Sequence, residues 1–171
     1  LSRALEGDLF EVYRSPGLEN IPPEYVLDEE HRVTPIDRGD VCLNYDRAWF
    51  GEHGIAPPRS IADLTRPEYE GLLVVENPAT STPGLAFMLA TIARYGERGW
   101  RAYWQKLRDN DVRVVSGWEE AYNVRFSGAA GSNGDRPIVV SYASTPPPEA
   151  IVRSPQPARA PTAVLTDSCF R

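Results

Sequence analysis

The chain has 171 residues, of which 42% are hydrophobic, 10% aromatic and 25% charged, so it is long enough for one domain with a hydrophobic core. This composition excludes intrinsic disorder, a collagen-like repeat and a disulfide-dense miniprotein, and no apolar run approaches the ~20 residues of a membrane-spanning helix. The net charge of −6 is concentrated in residues 1–46, where 11 acidic and 4 basic residues give −7. Since no basic patch appears, the sequence predicts no nucleic-acid partner.

The first part of the sequence predicts one helix and one strand, separated by a long connection. Residues 2–13 carry apolar side chains at helical spacing, which predicts a helix that faces a core. Residues 15–40 are rich in proline and acidic residues and predict a surface connection. Residues 41–45 predict a buried strand, and residues 48–58, with two glycines and a Pro-Pro pair, predict a loop. The apolar positions of the first helix are Leu5, Leu9, Val12 and Tyr13.

The middle of the sequence predicts two short turns, a central strand and two helices. The turns begin at Ser60 and Pro67, and the apolar run at residues 72–75 is typical of a central strand in an α/β sheet. Residues 84–94 predict a helix that ends at Gly96. The predicted buried face of this helix consists of Leu85, Met88, Leu89 and Ile92, and the next helix is marked by Trp100, Tyr103, Trp104 and Leu107.

The last part of the sequence predicts a strand at residues 112–115, a helix at 117–126 and a strand at 137–142. The proline run at residues 146–148 and the segment 153–161 are expected to break regular structure, and a final strand begins at residue 163 and ends near Cys169. Alternating strands and helices predict an α/β fold, with ligand-binding loops at the carboxyl ends of the strands.

Three of the predicted strands end in polar loops. These loops cover residues 77–82, 116–118 and 141–145. Because the carboxyl ends of parallel strands meet at one edge of a sheet, we expect the three loops to converge on a single site.

The loop before the long helix offers hydroxyl groups at a helix start. Ser81 and Thr82 precede Pro83, which favours a helix beginning at this point. Free backbone N–H groups and the helix dipole would attract an anion or a ligand hydroxyl there. Ordinary helix capping is the alternative interpretation.

Two aromatic residues lie at the ends of neighbouring predicted strands. Trp118 stands at a strand-to-helix junction, and Tyr142 ends the next strand, so the two side chains could face one another across a cleft. Such a pair would suit a flat cationic or heteroaromatic ligand, since a cation–π contact contributes about 0.5 to 2 kcal/mol. Covering the edge of the core is the alternative role for Trp118.

The sequence offers little support for catalysis. His31 and His53 lie in predicted loops, and none of the common phosphate-binding, nucleophile-elbow or zinc-binding motifs is present. Nothing places a base beside Ser141 or Ser144, so we predict no catalytic residue and no metal site. The two cysteines, Cys42 and Cys169, are compatible either with buried free thiols or with one long-range disulfide.

The three loops, taken in order, resemble one known family. Residues 77–85, 112–122 with Lys106 and Leu107 ahead of them, and 139–146 are similar to the corresponding segments of the periplasmic thiamine-binding proteins of ABC importers. Those proteins have the type II solute-binding fold. Residues 37–46 resemble the crossover between the two lobes of these proteins. The resemblance extends over nearly the whole chain, and the ordered set of motifs is more specific than any one of them.

The resemblance implies an α/β, type II periplasmic-binding-protein-like fold with one full α/β lobe plus part of the second lobe. Residues 1–45 would form a partial first lobe and a crossover, residues 46–142 the ligand-binding lobe, and residues 143–171 the return crossover with a further part of the first lobe. Together with the first residue, Leu1 rather than Met, this implies a fragment of a longer protein.

The resemblance also implies a ligand and roles for six residues. The ligand would be thiamine or thiamine phosphate, with Ser81 and Thr82 at its polar or phosphate end and Trp118 and Tyr142 against its rings. Tyr122 and Ser144 are secondary candidates. No cofactor is expected. The protein would be a monomer that delivers its ligand to the membrane permease of an ABC importer, in the periplasm or outside the cell, with a lipoprotein anchor as one option.

Two further expectations follow from the resemblance. The segments that carry Cys42 and Cys169 would lie near each other at the crossover, which predicts a disulfide between them. A binding protein of the same fold for another small solute, such as a polyamine or a metal ion, is the main alternative function. A hydrolase is the less favoured one.

Overall fold

The computed structural model describes residues 1–170. The chain divides into two compact units, the first made of residues 1–38 and the second beginning at Gly39. The first unit contains the short helix α1, Ser2–Glu6, and two single turns of 3₁₀ helix at Pro16–Asn20 and Pro23–Tyr25. Residues 1–38 include no strand.

The helix predicted for residues 2–13 is mostly wrong. Helix α1 ends at Glu6, because Gly7 follows it and Asp8 adopts a left-handed backbone conformation with φ of 52°, which a continuing helix does not allow. The side chains of Leu9, Val12 and Tyr13 are exposed. Helical spacing alone therefore did not identify a buried face here.

The second unit is built on one five-stranded mixed sheet. Its strands are β1 (Val41–Asp46), β2 (Leu73–Glu76), β3 (Arg113–Val115), β4 (Ile138–Tyr142) and β5 (Thr162–Phe170). They lie in the order β3-β2-β4-β1-β5. Strand β2 is parallel to both β3 and β4, whereas β1 is antiparallel to both β4 and β5. All five strands predicted from the sequence are thus confirmed, with ends shifted by one residue in most cases.

Helix α2, Arg47–His53, lies where the sequence predicted a loop. The Asp46 carboxylate accepts hydrogen bonds from the amides of Ala48 and Trp49, at 3.0 and 3.2 Å, and Gly54 ends the helix with φ of 65°. A capping carboxylate stabilises a helix start by about 1 kcal/mol. The stabilisation from these caps therefore exceeds the cost of having Gly51 inside the helix.

Helix α3, Thr82–Asp109, includes both helices predicted for this region and is kinked at Gly96, whose φ is 67° and ψ is 174°. Its buried face differs from the predicted one. Phe87 and Thr91 are buried, whereas Leu85 and Leu89 are 40% and 43% exposed. The buried face of the first half of α3 consists of Pro83, Gly84, Phe87 and Thr91. It is shifted by one residue toward the N-terminus from the face that the sequence predicted.

The remaining short elements connect the strands. A π-helix covers Glu120–Arg125, inside the segment predicted to be helical. Helix α4, Pro146–Ile151, corrects the expectation that the proline run breaks regular structure. Prolines are tolerated in the first turn of a helix, where the backbone amide has no partner in any case. Two 3₁₀ turns, Asp63–Thr65 and Pro67–Tyr69, lie close to the turns predicted from Ser60 and Pro67.

The sheet of the second unit has a hydrophobic cluster on each face. Alternate residues of β4 enter different clusters, as expected from the period of a strand: Ile138 and Val140 pack in the first cluster, and Val139 in the second. The first cluster also contains Phe87, Tyr103 and Leu107 of α3. The second contains Tyr122 of the π-helix and Phe126 immediately after it.

The edge strand β5 is cross-linked to its neighbour β1. Cys42 and Cys169 form a disulfide, and the described residues contain no free cysteine. Strand β1 pairs along its length with both β4 and β5. The crossover segments at residues 41–45 and 162–170 are thus parts of the same sheet as the central strands, and the division into three lobe segments remains a prediction.

Candidate functional site

The loops that follow β2 and β3 are joined by hydrogen bonds. The amide of Asn77 donates to the carbonyl of Val115 at 2.8 Å. The hydroxyl of Thr80 donates to the carbonyl of Ser116 at 2.6 Å. These bonds hold the segment 77–82 beside the segment 116–118, at the carboxyl ends of two parallel strands.

The loop after β4 is joined to the same edge through Trp118. The indole Nε1–H of Trp118 donates to the hydroxyl of Ser141 at 2.8 Å. The Ser141 hydroxyl lies 3.1 Å from that of Thr145, which in turn donates to the carbonyl of Tyr142 at 2.5 Å. All three loops singled out in the sequence therefore meet at one edge of the sheet.

The ring of Trp118 lies on a buried aromatic support. It stacks on Tyr122, with ring centroids 5.0 Å apart and an angle of 13° between the planes, and Tyr122 contacts Phe126 below it at 5.3 Å. Tyr122 is only 2% exposed, and burial raises the pKa of its phenol. In this arrangement Tyr122 supports Trp118, and its direct contact with a ligand remains a prediction.

Tyr142 lies against the other face of the sheet. Its ring packs on the first cluster, which contains Ile138 and Val140 of the same strand, whereas Trp118 packs on the second. The two aromatic side chains thus flank the sheet edge from opposite faces and do not form the facing pair that the sequence suggested. The alternation of side chains along β4 is the reason, since Ser141 and Tyr142 are consecutive.

The hydroxyl residues before α3 lie at the start of that helix. Ser81 occupies the N-cap position, yet its side chain makes no capping hydrogen bond. Ordinary side-chain capping by Ser81 is therefore not its role in this structure. Thr82 is exposed and Ser81 is half-buried, and Ser144, in the loop after β4, is exposed as well.

Glu76, the last residue of β2, is a feature of this edge that the sequence analysis did not identify. Its side chain is fully buried, and neither carboxyl oxygen has a hydrogen-bond partner among residues 1–170. Burial raises the pKa of this carboxyl to about 8. The backbone amide of Glu76 opposes that shift only weakly, because it does not reach hydrogen-bond geometry with either carboxyl oxygen. The only signal in the sequence is an acidic residue directly after an apolar run in a central strand.

The start of α3 is packed closely against Glu76. A Cβ atom on Gly84 would overlap the carbonyl oxygen of Glu76, so the first turn of the helix and the end of β2 are in direct contact. Only glycine leaves room for this approach. The anion-attracting end of α3 and the buried carboxyl group thus share one small region.

Two further properties of residues 1–170 concern clustered side chains and long apolar helices. No group of three or more potential metal ligands occurs within residues 1–170. Over the same range, none of the helices combines the length and the apolar character needed to cross a membrane.

Comparisons with known proteins agree on one family. The sequence profile of bacterial extracellular solute-binding proteins matches residues 1–146. Over 112 residues, the chain is 32% identical to the thiamine-binding periplasmic protein of Salmonella typhimurium strain LT2, covering 66% of this chain and 31% of that protein. The thiamine-binding periplasmic protein of Brucella abortus is 32% identical over 114 residues, covering 64% and 32%. The chain therefore spans about a third of the length of these relatives.

Solved structures give the same result for the fold. A periplasmic thiamin binding protein superposes with a TM-score of 0.59 at 27% identity, over 74% of this chain and 35% of that one. The periplasmic binding protein P5PA superposes with a TM-score of 0.69 at 22% identity, over 94% and 48%, which supports the fold alone. The predicted α/β fold of the type II binding proteins is confirmed, and the relatives named here are binding proteins. The chain belongs to the family of bacterial extracellular solute-binding proteins.

Proposed function

We propose that the chain contributes the α/β lobe of an extracytoplasmic thiamine-binding protein that serves an ABC importer. The convergence of its three polar loops at one sheet edge carries this proposal. Relatives whose names specify thiamine binding support the choice of ligand. The function is capture and delivery of the ligand, with no chemical step on it.

In this proposal the ligand lies along the edge where the three loops meet. The exposed part of the Trp118 indole packs against one of its rings, while Ser81 and Thr82 hold its hydroxyl or phosphate end through their hydroxyls and the free amides of α3. Tyr142 contacts the ligand from the other face of the sheet. Tyr122 acts through Trp118, which it supports, and Ser144 offers a further hydroxyl.

The partners follow from the same function. The loaded protein is a monomer outside the cytoplasm and hands thiamine or thiamine phosphate to the membrane permease of the importer. No cofactor takes part, because binding and release need only contacts that form and break.

The proposal can be tested by nitrogen-15 NMR of the chain during titration with thiamine, thiamine monophosphate and spermidine. This measurement detects binding even at a Kd of about 1 mM, which corresponds to roughly −4 kcal/mol. We expect thiamine to shift the amide signals of Ser81 and Thr82 and the indole signal of Trp118. Trp118→Ala should weaken binding at least about tenfold, which is ~1.4 kcal/mol.

The matched control is Trp100→Ala, because Trp100 is also partly buried but lies on α3, away from the three loops. It should leave the titration unchanged. Shifts caused by spermidine and not by thiamine would instead assign the chain to another solute. Shifts scattered away from the loop edge would refute the proposed site.

A further inference from the structure

Glu76 has a buried carboxyl group without a counter-charge or a hydrogen-bond partner. Its side chain is fully buried, and both carboxyl oxygens lack a partner among the described residues. Buried polar groups nearly always have hydrogen-bond partners, and leaving one without them is unfavourable by several kcal/mol. A group retained under these conditions at a ligand edge calls for a functional explanation.

The position of Glu76 connects it with the three loops. It is in register with Val115 of β3, and the next residue, Asn77, bonds to the same strand. Gly84, in the first turn of α3, packs on its backbone. The carboxyl group therefore belongs to the last residue of β2, at the edge of the sheet where the three loops begin.

None of the neighbouring elements supplies a positive charge to Glu76. The first turn of α3 contains no titratable residue, and β4 contributes only the phenol of Tyr142. Arg113 of β3 is exposed, and Glu119, just before the π-helix, is acidic. Within the π-helix, Arg125 forms an ion pair with Glu120 at 3.6 Å, and Tyr122 contributes only a buried phenol. Burial and the backbone amide of Glu76 are the only influences on the pKa of its carboxyl, so no charged side chain balances it.

We propose that Glu76 selects for positive charge in the ligand. In the empty site its carboxyl group is protonated. When an organic cation occupies the loop edge, the proton passes to solvent and the carboxylate becomes the counter-charge of the cation. The inference rests on the proposed function only in taking thiamine as the cation, through its positively charged thiazolium ring.

The first test measures protons and affinity together. Calorimetric titration of the chain with thiamine at pH 7, in two buffers of different ionisation enthalpy, should detect release of at least about half a proton per thiamine bound. By linkage, thiamine affinity should rise at least about threefold between pH 6 and pH 8.5. Glu76→Gln should abolish both effects. Glu97→Gln, which removes the same charge from an exposed position of α3, should retain them.

A second measurement needs no variant. Carbon-13 NMR of the Glu76 carboxyl in the unmodified chain should show a pKa that falls by at least about one unit when thiamine is added, which is a tenfold linkage. Thiamine binding without proton release, with an unchanged Glu76 pKa, would overturn the inference and leave the proposed function intact. Proton-linked binding of spermidine without binding of thiamine would overturn the proposed function and support the inference. A chain that binds neither cation would refute both.

Discussion

At the scale of single residues, Trp118 and Glu76 show how the site is organised. Trp118 is held in place by two different interactions, the stacking on Tyr122 and the hydrogen bond to Ser141. Two restraints on one ring fix both its tilt and its rotation. A ligand bound at the proposed site would therefore meet a preorganised surface, and its binding would lose less conformational entropy. Glu76, in contrast, is stabilised by no side-chain contact of its polar atoms.

Removing the hydroxyl that accepts the indole proton should loosen Trp118. In Ser141→Ala the half-buried Nε1–H loses its partner, which should lower the free energy of unfolding by about 1 to 3 kcal/mol. The indole proton of Trp118 should also exchange faster with solvent. Denaturant titration measures the free energy of unfolding, and NMR measures the exchange rate of the indole proton. Ser144→Ala, which removes an exposed hydroxyl from the same loop, should have neither effect. Equal behaviour of the two variants would contradict the positioning role of Ser141.

Glu76 should make the stability of the protein depend on pH. The pKa of its carboxyl is about 8 in the folded chain, against 4.5 for a glutamate freely exposed to water, so the folded state binds the extra proton. The corresponding stability is complete below about pH 4.5 and is lost as the pH rises through about 8, by roughly 5 kcal/mol in all. About 3 to 4 kcal/mol of this loss falls between pH 5 and pH 8. Chemical denaturation at several pH values between 5 and 8 should show this loss in the natural chain. It should be absent in Glu76→Gln, and a similar slope in that variant would exclude Glu76 as the source.

At the scale of elements, the contact between β2 and α3 positions the helix start at the edge of the sheet where the three loops meet. The approach is as close as it can be, because Gly84 has no side chain. The orphan amides of the first turn of α3 therefore lie directly beside the end of the strand. A longer separation would place Ser81 and Thr82 away from the loops after β3 and β4.

Two glycine substitutions distinguish close packing from helix propensity. Gly84→Ala should destabilise the chain by more than about 2 kcal/mol, because its Cβ would collide with the Glu76 backbone, which cannot move without disturbing β2. Gly51→Ala should stabilise it by about 0.5 to 1 kcal/mol, since Gly51 lies in α2 with open space around it. Thermal unfolding of both variants measures the difference. Equal effects would show that Gly84 is not confined by Glu76.

At the scale of the whole molecule, the sheet of the second unit combines two kinds of pairing. The parallel strands β2, β3 and β4 carry the loops of the candidate site, while β1 and β5 extend the sheet by antiparallel pairing. A disulfide joins β5, at the edge of the sheet, to its neighbour β1 over a sequence separation of 127 residues. A cross-link over such a long loop restricts the unfolded chain strongly.

Reduction of the disulfide should destabilise the protein. The loop-entropy argument gives about 4 to 5 kcal/mol for a loop of this length, and measured losses on removing native disulfides are commonly about 2 to 5 kcal/mol. Denaturant unfolding with and without reductant tests the effect. Thiol counting on the unfolded chain should find no free thiol before reduction and two afterwards. Two thiols before reduction would show that the cross-link is absent.

The strands, the convergence of three polar loops and the family resemblance could all be predicted from the sequence, because apolar runs and turn residues are local signals. Local signals did not determine which side of an element is buried. Leu85 and Leu89 have helical spacing yet remain exposed, and Trp118 and Tyr142 take opposite faces. These points became visible in the folded chain, as did the buried, unpaired carboxyl of Glu76. Burial depends on residues that are distant in sequence and meet only when the sheet forms.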